Sequence, residues 1–175
     1  HRAARKSLRN RSTLACAPSR IVWAKMTDGA RAMTPKQIQL VRDTFAALAA
    51  MPDQAAALFH RRLFELDPSL RGLFKGDLAA QGARLMAALS SAVRALDQLD
   101  GVAPALRSLG RRHAAYGVRP EHYAVVGEAL IGTLQQALGE AFTIEARRAW
   151  IDAYAHLAWI MIAAAEEDEG LAQAA

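Results

Sequence analysis

Prolines and helically spaced apolar residues alternate along this chain, and that pattern leaves little room for anything but helices. Thr34-Pro35 pairs a side chain able to accept from a helix's first turn with a proline whose missing N–H is no loss there. Behind it, Ile38, Val41, Phe45 and Leu48 recur at three- and four-residue steps. Met51-Pro52-Asp53 interrupts the pattern, and Asp53 is expected to cap a second helix, QAAALFHRRLFEL. Asp67-Pro68 starts a short turn through Leu73 and Phe74. A longer helix follows over about residues 77–99, with Leu78, Leu85, Leu89, Val93 and Leu96 as its inward stripe. After Asp100-Gly101 comes VAPALRSLGRRHAAY, then Arg119-Pro120 opens EHYAVVGEALIGTLQQALG. Thr143 opens the last run, IEARRAWIDAYAHLAWIMIAAA. With abundant alanine, few glycines, no strand-period segment and no repeat, the pattern predicts an all-α fold of six to seven helices. The EEDE at 166–169 sets negative charge at a helix C-terminus, so fraying is expected over 169–175.

At 175 residues and 53% hydrophobic, the chain can bury one core, which we place at 34–168. Its formal charge of +5 suggests an anionic partner until the distribution is examined. Residues 1–25 hold seven Lys/Arg and no acid, leaving 15 basic residues against 17 acidic ones in the remainder. The basicity belongs to residues 1–33, read as a disordered extension or an upstream-start artefact ahead of Met26 or Met33. No nucleic-acid partner is therefore expected. The longest apolar run, LAWIMIAAA, falls short of the ~20 residues that span a bilayer, so neither a membrane role nor a location other than the cytoplasm is expected. The single Cys16 excludes a disulfide framework or a cysteine metal site within one chain.

The five histidines carry what chemistry there is. His1 belongs to the extension, and His122 sits at a helix start where exposure is expected. Val102, Leu106, Leu109 and His113 step by four, three and four, which puts His113 on an apolar stripe with Arg111 and Arg112 turned elsewhere. Ala56, His60 and Leu63 make the same pattern, so His60 also faces inward. His156 lies at the margin of a stripe formed by Trp150, Ala153, Leu157 and Ile160. Read singly, each inward histidine is most simply a core imidazole bonded to a backbone carbonyl. No Gly-x-Ser-x-Gly motif and no cluster with zinc-ligand spacing accompanies them. One chemistry open to a lone inward histidine is to hold an iron whose equatorial ligands come from a porphyrin.

The stretches SLGRRHAAYGVRPEHYAVVGEALIGTL and LFHRRLFELDPSLRGLFKGDLAAQGARLMAALSSAV resemble the proximal and distal halves of the globin haem pocket. Across about residues 34–165 the chain is similar to single-domain bacterial haemoglobins and to the haem domain of flavohaemoglobins, with neuroglobin-like features. The resemblance implies haem b (iron protoporphyrin IX) with His113 as the metal ligand, its other ring nitrogen donating to the carbonyl of Leu109. It implies Phe74 packing on the porphyrin face, Gln81 at the distal position that meets bound gas, and Leu85 over the iron. Arg84, Arg112, Arg119 and Lys75 become candidate partners for the haem propionates, and Tyr123 a neighbour of His113.

Two departures accompany the resemblance. Where the bacterial relatives place a tyrosine over the ligand, this chain has His60. Where flavohaemoglobins place a glutamate that joins the counterpart of Tyr123, this chain has Ala165, with Glu166 one residue on and turned by about 100°. That weakens the case for peroxidase-like or fast dioxygenase chemistry. The implied function is reversible binding of O2, and of NO or CO, for oxygen binding, transport or storage, by a monomer or homodimer. The alternatives are NO dioxygenation with an external reductase, since no Gly-x-Gly-x-x-Gly loop is present, and gas sensing through a partner. A six-coordinate resting iron with His60 or Gln81 as sixth ligand is the second choice to a five-coordinate one.

Overall fold

A computed structural model describes residues 32–174, so most of the expected 1–33 extension lies outside the described residues. The described residues form six α-helices and two 3₁₀ turns, without strands. Helix α1 spans Pro35–Ala49, α2 Pro52–Leu66, α3 Leu78–Arg94, α4 Leu99–Ala115, α5 Pro120–Leu138 and α6 Ile144–Ala174. The 3₁₀ turns occupy Pro68–Leu73, between α2 and α3, and Gly139–Ala141, before α6.

Helix α1 begins as its sequence predicts. The Thr34 hydroxyl accepts from the Gln37 N–H at 3.2 Å, and the Gln37 side chain accepts from the Thr34 N–H at 2.9 Å. This reciprocal pair satisfies two of the donors that a helix start leaves unpaired. Ile38, Val41, Phe45 and Leu48 are all buried, as their spacing requires. Asp53, by contrast, does not cap α2. The helix starts one residue earlier with Met51 in the cap position and no side-chain bond there, while Asp53 sits in the first turn. Proline at the first helical position suffices to set the backbone.

The expected 77–99 helix divides. Helix α3 ends at Arg94, and α4 begins at Leu99, ahead of Gly101 rather than behind it. Leu78 is 39% exposed and drops out of the inward stripe. Gly82 and Met86, four and eight residues on along the same face, are buried, and α3 there lies close enough to α2 that a β-carbon at Gly82 would stand 2.7 Å from Ala56 Cβ.

Helix α6 is the post on which α4, α1 and α5 lean, and α2 packs across α5 and α3. Its buried face is built largely from alanine, at positions 146, 149, 153, 158 and 164, with Trp150, Ile160 and Met161 between them. Small side chains at these steps let helix backbones approach closely. The helix also continues beyond the point where fraying was expected, to Ala174. Part of the opposing charge is neutralised there: Glu167 pairs with Arg107, and Asp168 with Arg111 at 2.9 Å, both arginines belonging to α4.

A buried polar link ties α1 to this post. The Trp150 indole N–H donates to the Thr44 hydroxyl at 2.8 Å, and that hydroxyl donates to the Leu40 carbonyl at 2.6 Å. Thr44→Val would leave the indole N–H buried without an acceptor. It is expected to cost about 1–2 kcal/mol, read as a lower urea midpoint at unchanged slope.

Candidate functional site

The candidate residues lie on three segments: the C-terminal half of α4, the stretch from α2 through the first 3₁₀ turn, and the first turns of α3, with α2 packing on both the turn and α3. His113 stands two residues before the end of α4 and is half-buried. Its Nδ1 lies 2.9 Å from the Leu109 carbonyl, the partner the resemblance implied. A carbonyl only accepts, so Nδ1 carries the proton and Nε2 of the neutral ring keeps its lone pair. Helix geometry aims that lone pair away from the α4 backbone. The chain then turns at Gly117, whose φ of +90° suits a residue without a β-carbon, and Val118 N–H donates to the His113 carbonyl at 3.0 Å. A β-carbon at Gly117 would lie 3.6 Å from Leu73 Cδ2, so this turn touches the segment that carries Phe74.

Tyr123 is buried beside His113, with ring centroids 6.3 Å apart. Burial pushes its phenol up to about 12. Tyr154 of α6, which sequence reasoning passed over, donates its hydroxyl to the Tyr123 carbonyl at 2.7 Å, and burial raises its phenol further still. Leu106, Leu109 and Val118 pack on a small cluster of Tyr123, Ala158 and Met161, separate from the main core. Ala165 is half-buried and Glu166 exposed, so no carboxylate from those positions joins this cluster.

On α2, His60 is 5% exposed and ringed by aromatic side chains. Phe59 and Phe74 meet its ring edge-on at centroid distances of 5.6 and 5.3 Å, and Phe64 stacks at 6.0 Å. Desolvation lowers its pKa, opposed by a bond to the backbone carbonyl of Ala56 one turn back. The imidazole is therefore neutral at pH 7. Leu85 and Phe74 are half-buried against the main core.

Gln81 departs from the expected arrangement. Its side-chain amide donates to the Lys75 carbonyl at 2.5 Å, so it spends one N–H on closing the short link between Phe74 and α3. Asp77 completes that link by accepting from the N–H groups of Ala79 and Ala80 at 3.0 and 3.3 Å.

His122, expected to be exposed, is 7% exposed. Its ring folds back so that Nδ1 accepts the Arg119 backbone N–H at 3.1 Å, capping α5 and taking the histidine out of solvent. His156 is half-buried with its Nδ1 inside and unpartnered among the described residues; burial lowers its pKa, against the pull of Asp100. Among the cationic candidates, Arg119 is committed to Glu121 at 3.1 Å. Arg84, Arg112 and Lys75 are exposed and make no ion pair among the described residues.

The donor set suits one metal rather than a protein-built cage. No group of three or more His, Cys, Asp or Glu side chains suited to a metal occurs among the described residues. A single imidazole whose Nδ1 is tied to a carbonyl, beside apolar and aromatic side chains, fits a metal whose remaining ligands arrive with a planar macrocycle.

A family model described as Globin matches residues 57–161. The neuroglobin of Danio rerio is 34% identical over 136 residues, covering 70% of this chain and 86% of that protein. A flavohemoprotein of Rhizobium meliloti is 32% identical over 133 residues, covering 74% of this chain. This chain spans only about a third of the length of that protein, 33%. Among solved structures, a candidate nitric oxide dioxygenase from Rhodothermus marinus, engineered as a carbene transferase, superposes with a TM-score of 0.71 at 28% identity. The superposition covers 81% of this chain and 99% of that one. A bacterial globin from Campylobacter jejuni matches in fold, with a TM-score of 0.68 at 22% identity, covering 78% of this chain and 99% of that one.

The buried histidines set a pH dependence. His60 and His156 have folded pKa values below the ordinary 6.5, so the unfolded chain takes up protons more readily than the folded one. Stability is therefore expected to be flat above about pH 7 and to fall as pH drops through 6.5 towards the folded values. His60→Phe should remove part of that slope in urea titrations between about pH 7 and 5, and His156→Leu the remainder.

Proposed function

This chain belongs to the globin family, and from that premise we propose that it binds haem b through His113 and takes up O2 reversibly. The supporting observation is the 2.9 Å bond between His113 Nδ1 and the Leu109 carbonyl. It holds the ring in the one neutral tautomer whose Nε2 can coordinate. The haem supplies a ferrous iron that binds diatomic gases. The protein's part is to bind it, keep water away and place a proton near the gas.

Phe74 and Leu85, packed on the main core, and Leu106 and Leu109 of α4 are the apolar side chains that would face the macrocycle. Arg84 and Arg112, exposed and without an ion pair among the described residues, are the candidate partners for its propionates. Tyr123 lies beside the His113 ring, with centroids 6.3 Å apart, and screens it from solvent on that side. His60 is the polar group available over the gas, because Gln81 is partly occupied by the Lys75 carbonyl. A hydrogen bond to a charged acceptor is worth about 1–3 kcal/mol when well aligned. Here the Ala56 carbonyl contests the same imidazole proton, so the gain over an apolar side chain is several-fold rather than larger.

A second reading, NO dioxygenation with electrons from a separate reductase, is supported by similarity to flavohemoproteins over the haem-domain portion of their length. The bacterial and cytoplasmic setting is part of the same proposal. No helix among the described residues is long and apolar enough to cross a membrane.

Absorption spectra of the purified chain in its ferric, ferrous and CO forms test the reading directly. We expect a Soret band in all three and its loss in His113→Ala; a His113→Ala variant that keeps full pigment would overturn it. In stopped-flow O2 release, His60→Leu should raise the dissociation rate several-fold and Gln81→Leu by less. Unchanged rates in both would show the distal residues to be misassigned.

A further inference from the structure

We propose that Gly110 positions His113 by holding α4 directly against the backbone of α6, an assignment that rests on the reading of His113 as haem ligand. A β-carbon built at Gly110 would lie 2.2 Å from the Met161 carbonyl oxygen, 2.6 Å from its Cα and 2.7 Å from its carbonyl carbon. These are backbone atoms of the longest helix, so no rotamer change relieves the overlap. Only a movement of α4 away from α6 would.

Such a movement reaches His113 without slack. Gly110 follows Leu109, whose carbonyl fixes the His113 ring, and all three residues share one turn of α4. The ring takes its orientation from its own helix, so wherever α4 stands, Nε2 stands. Beyond the Met161 contact, the Arg107–Glu167 and Arg111–Asp168 pairs join the same two helices. Being exposed, each contributes little energy, but both draw α4 towards the same stretch of α6. Leu109 packs on the cluster that contains Met161 itself.

A second glycine on the same helix shows that Gly110 is not merely tolerated. Nothing lies within 4 Å of where a β-carbon at Gly101 would stand. Glycine costs helix propensity at both positions, but only at 110 does the packing require it.

The test compares Gly110→Ala with Gly101→Ala in the haem-loaded protein and in the haem-free chain. Gly101→Ala is expected to raise the thermal midpoint and leave the iron–imidazole stretching frequency of the ferrous gas-free form unmoved. Gly110→Ala is expected to shift that frequency and to speed haem loss to a scavenging apoprotein several-fold. In the haem-free chain it should quicken amide hydrogen exchange across α4, where Gly101→Ala slows it. A third measurement separates positioning from general loosening. In a His113→Gly background supplied with free imidazole, the ligand is no longer attached to α4, so adding Gly110→Ala should leave the frequency unchanged. No shift in the intact protein, or an equal shift in the imidazole-supplied background, overturns the proposal.

If Gly110→Ala yields no folded protein, amide hydrogen exchange of the unaltered haem-free chain is read instead. Residues 109–113 are then expected to be protected together with residues 157–164 of α6, and free exchange at 109–113 while α6 stays protected overturns the proposal. Failure of the ligand reading looks different: the unaltered chain would take up no haem, or His113→Ala would keep it.

Discussion

The architecture depends on how closely other helices can approach α6. A helix presenting alanine at five buried positions lets neighbouring backbones come near, and burial of Trp150, Ile160 and Met161 between those alanines supplies the apolar area that offsets ordering the chain. Helix α4 uses this opportunity most fully, meeting the Met161 backbone at Gly110. Helix α4 also carries His113, so its packing on α6 sets where that side chain's backbone stands.

The site is asymmetric in how its two sides are held. On the α4 side, the imidazole is tied to its own helix by the Leu109 carbonyl, and Tyr123 is tied through its carbonyl to the Tyr154 hydroxyl. On the other side, His60 is confined by shape, with Phe59, Phe64 and Phe74 around it and Gly82 leaving room along α3. A hydrogen-bonded ring resists rotation, while an aromatic enclosure mainly resists solvation. The first suits a group that must keep one tautomer. The second suits a group whose charge must be discouraged.

Much of this was legible in the residues. Helix starts at Thr34-Pro35 and Arg119-Pro120 and the inward registers of His60 and the α1 stripe follow from local rules, because each rests on spacing within one segment. The misreadings share a cause. Asp53 looked like a cap, Leu78 looked inward and His122 looked exposed, yet each outcome depended on a neighbour that spacing does not reveal. For His122 that neighbour is only three residues away, the Arg119 N–H, but the ring had to fold back to reach it. Leu78 is the first residue of α3, and at that end its face is left open although Gly82, one turn on, is buried. The commitment of Gln81 to the Lys75 carbonyl was similarly hidden, because a short link only limits where the amide can go.

By itself the sequence determined that this chain is helical, where most helices begin and that His60 turns inward, because these depend on dihedral preference and a 3.6-residue period acting locally. Tertiary structure decided how near α4 comes to α6, which acids meet Arg107 and Arg111, and which groups surround His60. Those outcomes join residues distant along the chain, and a contact between distant residues exists only once two helices have chosen a crossing. Periodicity states which face is apolar; it does not state how close another backbone can stand to it.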